Sequence, residues 1–207
     1  MEMTKKYQPL DKKPLFPIFF GKRGRIVRKL THEEISAHRL PKEQIPAATR
    51  TPIIGLLENV RSLYNVGSIF RTSDGAFIQA LYLAGYTPQP PRPEIEKTAL
   101  GATETIPWRF FRDPLAAVSA ARETGAVICV LEHTTKSRLY HTLTPDAFPI
   151  CLVVGNELSG ISAAVVRAAD LAIEIPMHGT KQSLNAAVAY GIAVFELARI
   201  WRQGSRT

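Results

Sequence analysis

The chain has 207 residues, 45% of them apolar and 21% charged, with a formal net charge of +8. That length suits one domain with a short appendage and can bury a core, while no apolar run reaches the ~18 residues of a membrane span. Two cysteines and five scattered histidines, in no zinc-ligand spacing, disfavour a metal enzyme.

Residues 1–50 hold 12 Lys/Arg against 5 Asp/Glu, whereas residues 51–207 hold 14 against 13. The excess concentrates in GKRGRIVRK, where Lys22, Arg23, Arg25, Arg28 and Lys29 fall within eight positions. Such density suits contact with a nucleic-acid backbone, and the plainer alternative is a solvated tail. The opening MEMTKKYQPLDKK lacks the apolar stretch of a secretory signal, so a cytoplasmic protein is expected. Prolines at 9, 14, 17, 41 and 46 interrupt this region. One helix is predicted in THEEISAHRL, where Thr31 caps and Glu34 completes a capping box. Residues 1–50 therefore read as a basic N-terminal extension and residues 51–207 as the body.

In the body a regular alternation begins. Strands are predicted at 52–60, 80–85, 108–111, 126–132, 150–155 and 171–176, and helices at 66–77, 94–100, 113–124, 162–169 and 183–202. Apolar runs alternating with helices predict an α/β body built on a parallel six-stranded sheet with helices on both faces. Cys129 and Cys151 lie inside two of these runs and read as reduced core residues. The last helix, SLNAAVAYGIAVFELARIW, is apolar around most of its circumference, which suggests a homodimer interface or, alternatively, internal burial.

Ligands of open α/β sheets bind beyond the carboxyl ends of the strands. Three such ends carry small and polar residues: ENVRSLYNVGS, GNELSGIS and PMHGTKQSLN. GNELSGIS has the glycine spacing of a P-loop, but Ile161 stands where the lysine belongs. No G-x-G-x-x-G follows a strand, and Ser159 is not in a G-x-S-x-G elbow. Arg71 is predicted near the apolar residues Val66, Ile69, Phe70 and Phe77, where a permanent cation needs an anion.

Taken together, NVGSIFRT at 65–72, LVVGNELSGIS at 152–162 and IEIPMHGTKQSLNAAVAYGIAVFELAR at 173–199 resemble, in order and spacing, the three signature motifs of the SpoU-type (TrmH-like) RNA ribose 2′-O-methyltransferases of the SPOUT superfamily. The resemblance covers roughly residues 52–200. It implies a C-terminal deep trefoil knot, which the rarity of knots would otherwise exclude. It also implies a homodimer, S-adenosyl-L-methionine as methyl donor, and a tRNA or rRNA ribose as acceptor. A non-catalytic RNA-binding dimer that keeps the fold as a scaffold is the alternative, and the intact polar set speaks against it.

The resemblance assigns catalytic roles to Arg71, Asn65, Glu157, Ser183 and Asn185. Arg71 would meet an RNA phosphate; otherwise it pairs with Glu58 or Asp74. Asn65 would hold the ribose or the arginine; otherwise, or as well, it caps a helix starting at Val66. Glu157 would orient the arginine, or else only satisfy loop amides. Ser183 is positioned to cap the long helix. Cofactor contacts are implied from Val154, Gly155, Asn156, Gly160, Ile175, Pro176, Met177, Ser183 and Leu184, of which Ile175, Pro176 and Met177 could equally be core. Some larger relatives carry a separate RNA-binding domain ahead of the body, and the segment from Lys22 to Lys29 is its expected substitute here.

Overall fold

The computed structural model describes residues 27–205, the side chain of Lys42 excepted. The chain divides into two compact units, one through Ala47 and one from Ala48. In the first, helix α1 (His32–Ala37) carries the expected capping box, with the Thr31 hydroxyl accepting from the Glu34 amide and Glu34 accepting from the Thr31 amide. Arg28 donates to Glu34 at 2.8 Å. That bond, with the Thr31 amide, brings the carboxyl down to about 2. Lys29 is exposed. Lys22, Arg23 and Arg25 lie outside the described residues.

The second unit is built on seven parallel strands: β1 (Thr51–Glu58), β2 (Ile78–Ala84), β3 (Trp108–Phe111), β4 (Val127–Leu131), β5 (Arg138–Leu139), β6 (Ile150–Val154) and β7 (Leu171–Glu174). Their order is β3-β2-β1-β6-β4-β7-β5. The six-strand expectation is thus short by one. β5 has only two residues, both exposed, which pair with Ile173 and Glu174 of β7. So short a polar stretch offers no apolar period to read.

Period-two alternation along the central strands fills two apolar layers. Ile53 and Leu57 of β1 point to one layer, shared with helices α2 (Leu63–Ala76), α3 (Pro93–Ala99), α4 (Ala102–Thr105) and α7 (Ala186–Gly204). Ile54 and Leu56 point to the other, against α5 (Pro114–Glu123) and α6 (Ala163–Ala168). Cys129 and Cys151 are fully buried free thiols in these layers. Burial pushes the Cys129 thiol up to about 12 and that of Cys151 higher than its ordinary value. Neither is a nucleophile at neutral pH.

The sheet brings the carboxyl ends of β1 and β6 side by side. Loops 59–62 and 155–162 consequently meet, and the segment 175–185 after β7 leads into α7 beside them. No helix of the described residues is long and apolar enough to cross a membrane.

Candidate active site

Four carboxylates, Glu58, Glu132, Glu157 and Glu174, and the segments after β1, β6 and β7 shape the site. Glu157, in the loop after β6, reaches across to the start of α2: its Oε2 accepts from the Arg61 amide at 2.9 Å and its Oε1 from the Ser62 amide at 3.0 Å. Helix N-termini leave such amides without partners, and a carboxylate there also meets the positive end of the helix dipole. Burial pushes the Glu157 carboxyl up, but the amides of Arg61 and Ser62, its own amide and the Asn65 side chain together hold it below the ordinary range.

Asn65 joins the second motif to the third. Its Nδ2 donates to Glu157 Oε1 at 2.8 Å, and its Oδ1 accepts from Asn185 Nδ2 at 3.1 Å. Asn185 in turn caps α7, its Oδ1 accepting from the amides of Ala187 and Val188. One continuous hydrogen-bond chain, Glu157 to Asn65 to Asn185, therefore links all three sequence motifs.

Two capping assignments are corrected by this geometry. α2 begins at Leu63 with Ser62 as its cap, so Asn65 lies inside the first turn and its side chain is free to face the neighbouring loops. Asn185, not Ser183, caps α7, because the helix starts at Ala186. Ser183 stands two residues earlier, exposed, on the cavity wall.

The loop 155–162 is pinned at its far end as well. Glu132, just after β4, accepts from the Ile161 amide at 3.0 Å, and the buried Glu58, last residue of β1, accepts from the Ser162 amide at 2.9 Å. Asn156 holds the middle, accepting from the amides of Leu158 and Ser159 while donating to the Asn59 carbonyl. Two glycines are required for this path. A Cβ on Gly155 would fall 2.4 Å from the Gly160 carbonyl carbon, and Gly160 takes a φ of +67° with no room on its Glu132 side.

Between this loop, the 175–185 segment and the first turns of α7 lies a cavity of about 440 Å³. Of the expected cofactor contacts, Val154, Gly155, Asn156, Gly160, Ile175, Met177, Ser183 and Leu184 line it; Pro176 does not. Glu132, His133, Glu157 and Glu174 line it too, and among the described residues no Lys or Arg does. Glu174 accepts from the Ser137 hydroxyl and has His133 Nδ1 at 3.5 Å, and these neighbours hold its carboxyl below the ordinary range, the Ser137 bond foremost. The wall is therefore acidic and suits a cation.

Arg71 is elsewhere. It is exposed on α2, its side chain makes no hydrogen bond or ion pair among the described residues, and it does not line the cavity. Neither expected acid partner takes it: Glu58 holds the Ser162 amide, and Asp74 accepts from the Thr105 hydroxyl at 2.7 Å. Within one chain Glu157 makes no hydrogen bond to it either, its partners being Arg61, Ser62 and Asn65. Six residues along a helix carry Arg71 about 9 Å from Asn65 and turn it about 120° around the axis, out of reach of the same carboxylate. The apolar neighbours Val66, Ile69 and Phe70 are buried while Arg71 points to solvent.

Ser62, Glu132 and Glu174 were assigned no role in the sequence reading, and Glu58 entered it only as an alternative partner for Arg71. Ser62 had a readable signal, a small polar residue just ahead of an apolar helix. The glutamates had a weaker one: each closes an apolar strand run at its carboxyl end.

Comparison with known proteins follows the same boundaries. Residues 52–195 match the family model described as the SpoU rRNA Methylase family. A relative named 23S rRNA (guanosine-2′-O-)-methyltransferase RlmB, from Neisseria meningitidis serogroup B, is 28% identical over 148 residues, 72% of this chain and 58% of its own length. The tRNA (guanosine(18)-2′-O)-methyltransferase of Aquifex aeolicus is 33% identical over 151 residues, covering 71% and 69%. Among solved structures, the AdoMet-bound rRNA methyltransferase of Sinorhizobium meliloti superposes with a TM-score of 0.68 at 30% identity, over 73% of this chain and 57% of that one. The chain thus spans somewhat more than half the length of the first and the last of these.

Proposed function

The chain belongs to the SpoU rRNA Methylase family, and on that premise we propose that it transfers a methyl group from S-adenosylmethionine to a ribose 2′-hydroxyl of tRNA or rRNA. The observation that carries this reading is the hydrogen-bond chain from Glu157 through Asn65 to Asn185, which unites the three motifs beside an acidic cavity. A cytoplasmic location goes with such a substrate.

The residues present fit this cofactor. S-adenosylmethionine, when bound, supplies a methyl group already activated on a positive sulfonium. The carboxylates of Glu132, Glu157 and Glu174 complement that charge, and no described Lys or Arg on the wall opposes it. Val154, Ile175, Met177 and Leu184 offer apolar contact for the adenosine, and the backbone of Gly155 and Gly160 allows close approach.

The protein's task is then to align the hydroxyl and ease its proton away. Ser183 contributes a hydroxyl on the cavity wall, and Asn65 and Asn185 keep unused amide hydrogens after their mutual bond. Glu157 positions Asn65 by fixing which way its amide faces. Arg71 supplies positive charge for an RNA phosphate. An isolated guanidinium is a poor base, so orientation and charge stabilisation are its first role.

The knot and the homodimer belong to the same proposal. Family membership supports a C-terminal segment threaded into a deep trefoil knot, and the return of the chain from β7 to α7, packed on α2 and β1, agrees with it. For the dimer, α7 leaves Val188, Ile192 and Phe195 exposed in one stripe, and Gly75 of α2 lies against the Phe195 ring. Arg71, one turn before Gly75, would stand at the seam between two copies. The basic residues Lys22, Arg23, Arg25, Arg28 and Lys29 serve as an RNA-holding arm.

The test is transfer of labelled methyl from S-adenosylmethionine to total tRNA and, separately, to rRNA, with nucleoside analysis. A 2′-O-methylated nucleoside from one pool is expected. Arg71→Ala is expected to lower transfer by about 10²-fold or more while leaving cofactor affinity nearly intact. Normal turnover by that variant removes Arg71 from the mechanism. Cofactor that fails to bind the wild type favours the scaffold alternative.

A further inference from the structure

A second cavity, of about 350 Å³, opens on the other face of the sheet. Its floor is apolar, made by Val130, Val166 and Ala172, which belong to the α5 and α6 layer. The loop after β4 forms its wall through Thr134, Thr135, Lys136 and Arg138. The same loop also walls the acidic cavity through Glu132 and His133. One short segment therefore separates two cavities of opposite charge.

The cations of the second cavity are uncommitted. Lys136 and Arg138 are exposed, and neither side chain makes a hydrogen bond or ion pair among the described residues. Asp170 is the one acid among the described residues of this wall and is already spent, with Oδ1 accepting from Arg122 at 2.8 Å and Oδ2 from the Ile128 amide at 2.8 Å. The Thr135 hydroxyl likewise has no partner among the described residues. The backbone that presents these groups is held in place. Thr134 Oγ1 accepts from the Lys136 amide at 3.2 Å, Ser137 Oγ accepts from the Thr134 amide and donates to Glu174, and Arg138 is registered against Ile173 in the sheet.

Two unpaired cationic side chains and a hydroxyl thus line a cavity whose described acid is already paired. Its volume is at the scale of a small-ligand site, and its apolar floor suits a ribose or base edge. We propose that this cavity binds a backbone phosphate of the RNA substrate, with Lys136 and Arg138 as the anchoring cations. The inference rests on the methyltransferase reading and adds to it a substrate contact remote from the three motifs.

The experiment measures binding of labelled total tRNA and of rRNA over a range of salt concentrations, together with S-adenosylmethionine affinity. Lys136→Gln/Arg138→Gln removes two phosphate contacts from surface positions. RNA affinity should fall several-fold and the slope of log K against log salt should flatten by about 1.4–1.8, with cofactor affinity unchanged. Arg92→Gln/Lys97→Gln, an equally exposed pair at α3, should leave the slope nearly as it was. An unaltered slope in the first variant, with wild-type RNA binding intact, overturns the phosphate site alone. Equal flattening by both pairs also overturns it, since the effect is then diffuse charge. A wild type that binds neither RNA overturns the site and the methyltransferase reading together.

Discussion

Glu157 shows how much of the site's order rests on one side chain. Its two oxygens take three donors from the start of α2, two of them amides that the helix cannot satisfy internally. Glutamine at this position keeps one acceptor but turns an NH₂ toward a backbone donor. Glu157→Gln is therefore expected to cost about 1 kcal/mol of stability at neutral pH and to loosen Asn65. The pH dependence has a definite sign. A carboxyl held below its ordinary range contributes stability above about pH 4.3 and loses it as pH falls through its folded-state value. The gap between wild type and variant in urea unfolding should accordingly be full at pH 7 and close on acidification below about pH 4. A gap that is constant with pH would mean that the carboxylate's charge is not what holds the loop.

The same residue marks the limit of reading a site from sequence. Three members of the polar set, Asn65, Glu157 and Asn185, do converge, whereas Arg71 stands apart from them in the chain. Their partners were not legible. The resemblance set Glu157 beside Arg71, and Asn65 was given a helix cap as its alternative role, whereas the helix starts three residues earlier and Ser62 takes the cap. A start about one turn earlier takes Asn65 out of the cap and into the helix, which changes where its side chain points.

At the level of elements, strand prediction succeeded at the apolar runs, β3 at the sheet edge included, and failed at β5, where two exposed residues carry no pattern. Helices α2 and α7 were legible as apolar periodicity, yet their contact carries a buried polar pair. Ser73 Oγ and Tyr190 Oη meet at 2.7 Å with both residues fully buried. Burial pushes the Tyr190 phenol well above its usual value, so it stays neutral there. Tyr190→Phe leaves the Ser73 hydroxyl buried without its partner and should cost about 1–3 kcal/mol in urea unfolding. Adding Ser73→Ala removes the orphaned group and should restore part of the loss. Additive costs in the double variant would show that the two hydroxyls do not act as a pair.

For the whole molecule, α7 explains why one sequence reading could fit both burial and assembly. Tyr190, Val194 and Leu197 are fully buried against the sheet layer, while Val188, Ile192 and Phe195 are 51%, 36% and 50% exposed on the opposite side. Positions spaced four and three apart form a continuous stripe, and a stripe of three large apolar side chains in water is the mark of an interface. A second copy of the chain covering this stripe would bring Arg71, which has no partner of its own among the described residues, into a protected seam. Phe195→Glu tests this without touching the core. The wild type is expected to sediment at twice the chain mass. The variant should sediment at the chain mass, with a near-normal melting transition but with methyl transfer to RNA lost. A wild type that is already monomeric across the assay concentrations, or a monomeric variant that still methylates RNA at the normal rate, would return Arg71 to its own subunit and leave the stripe without a catalytic consequence.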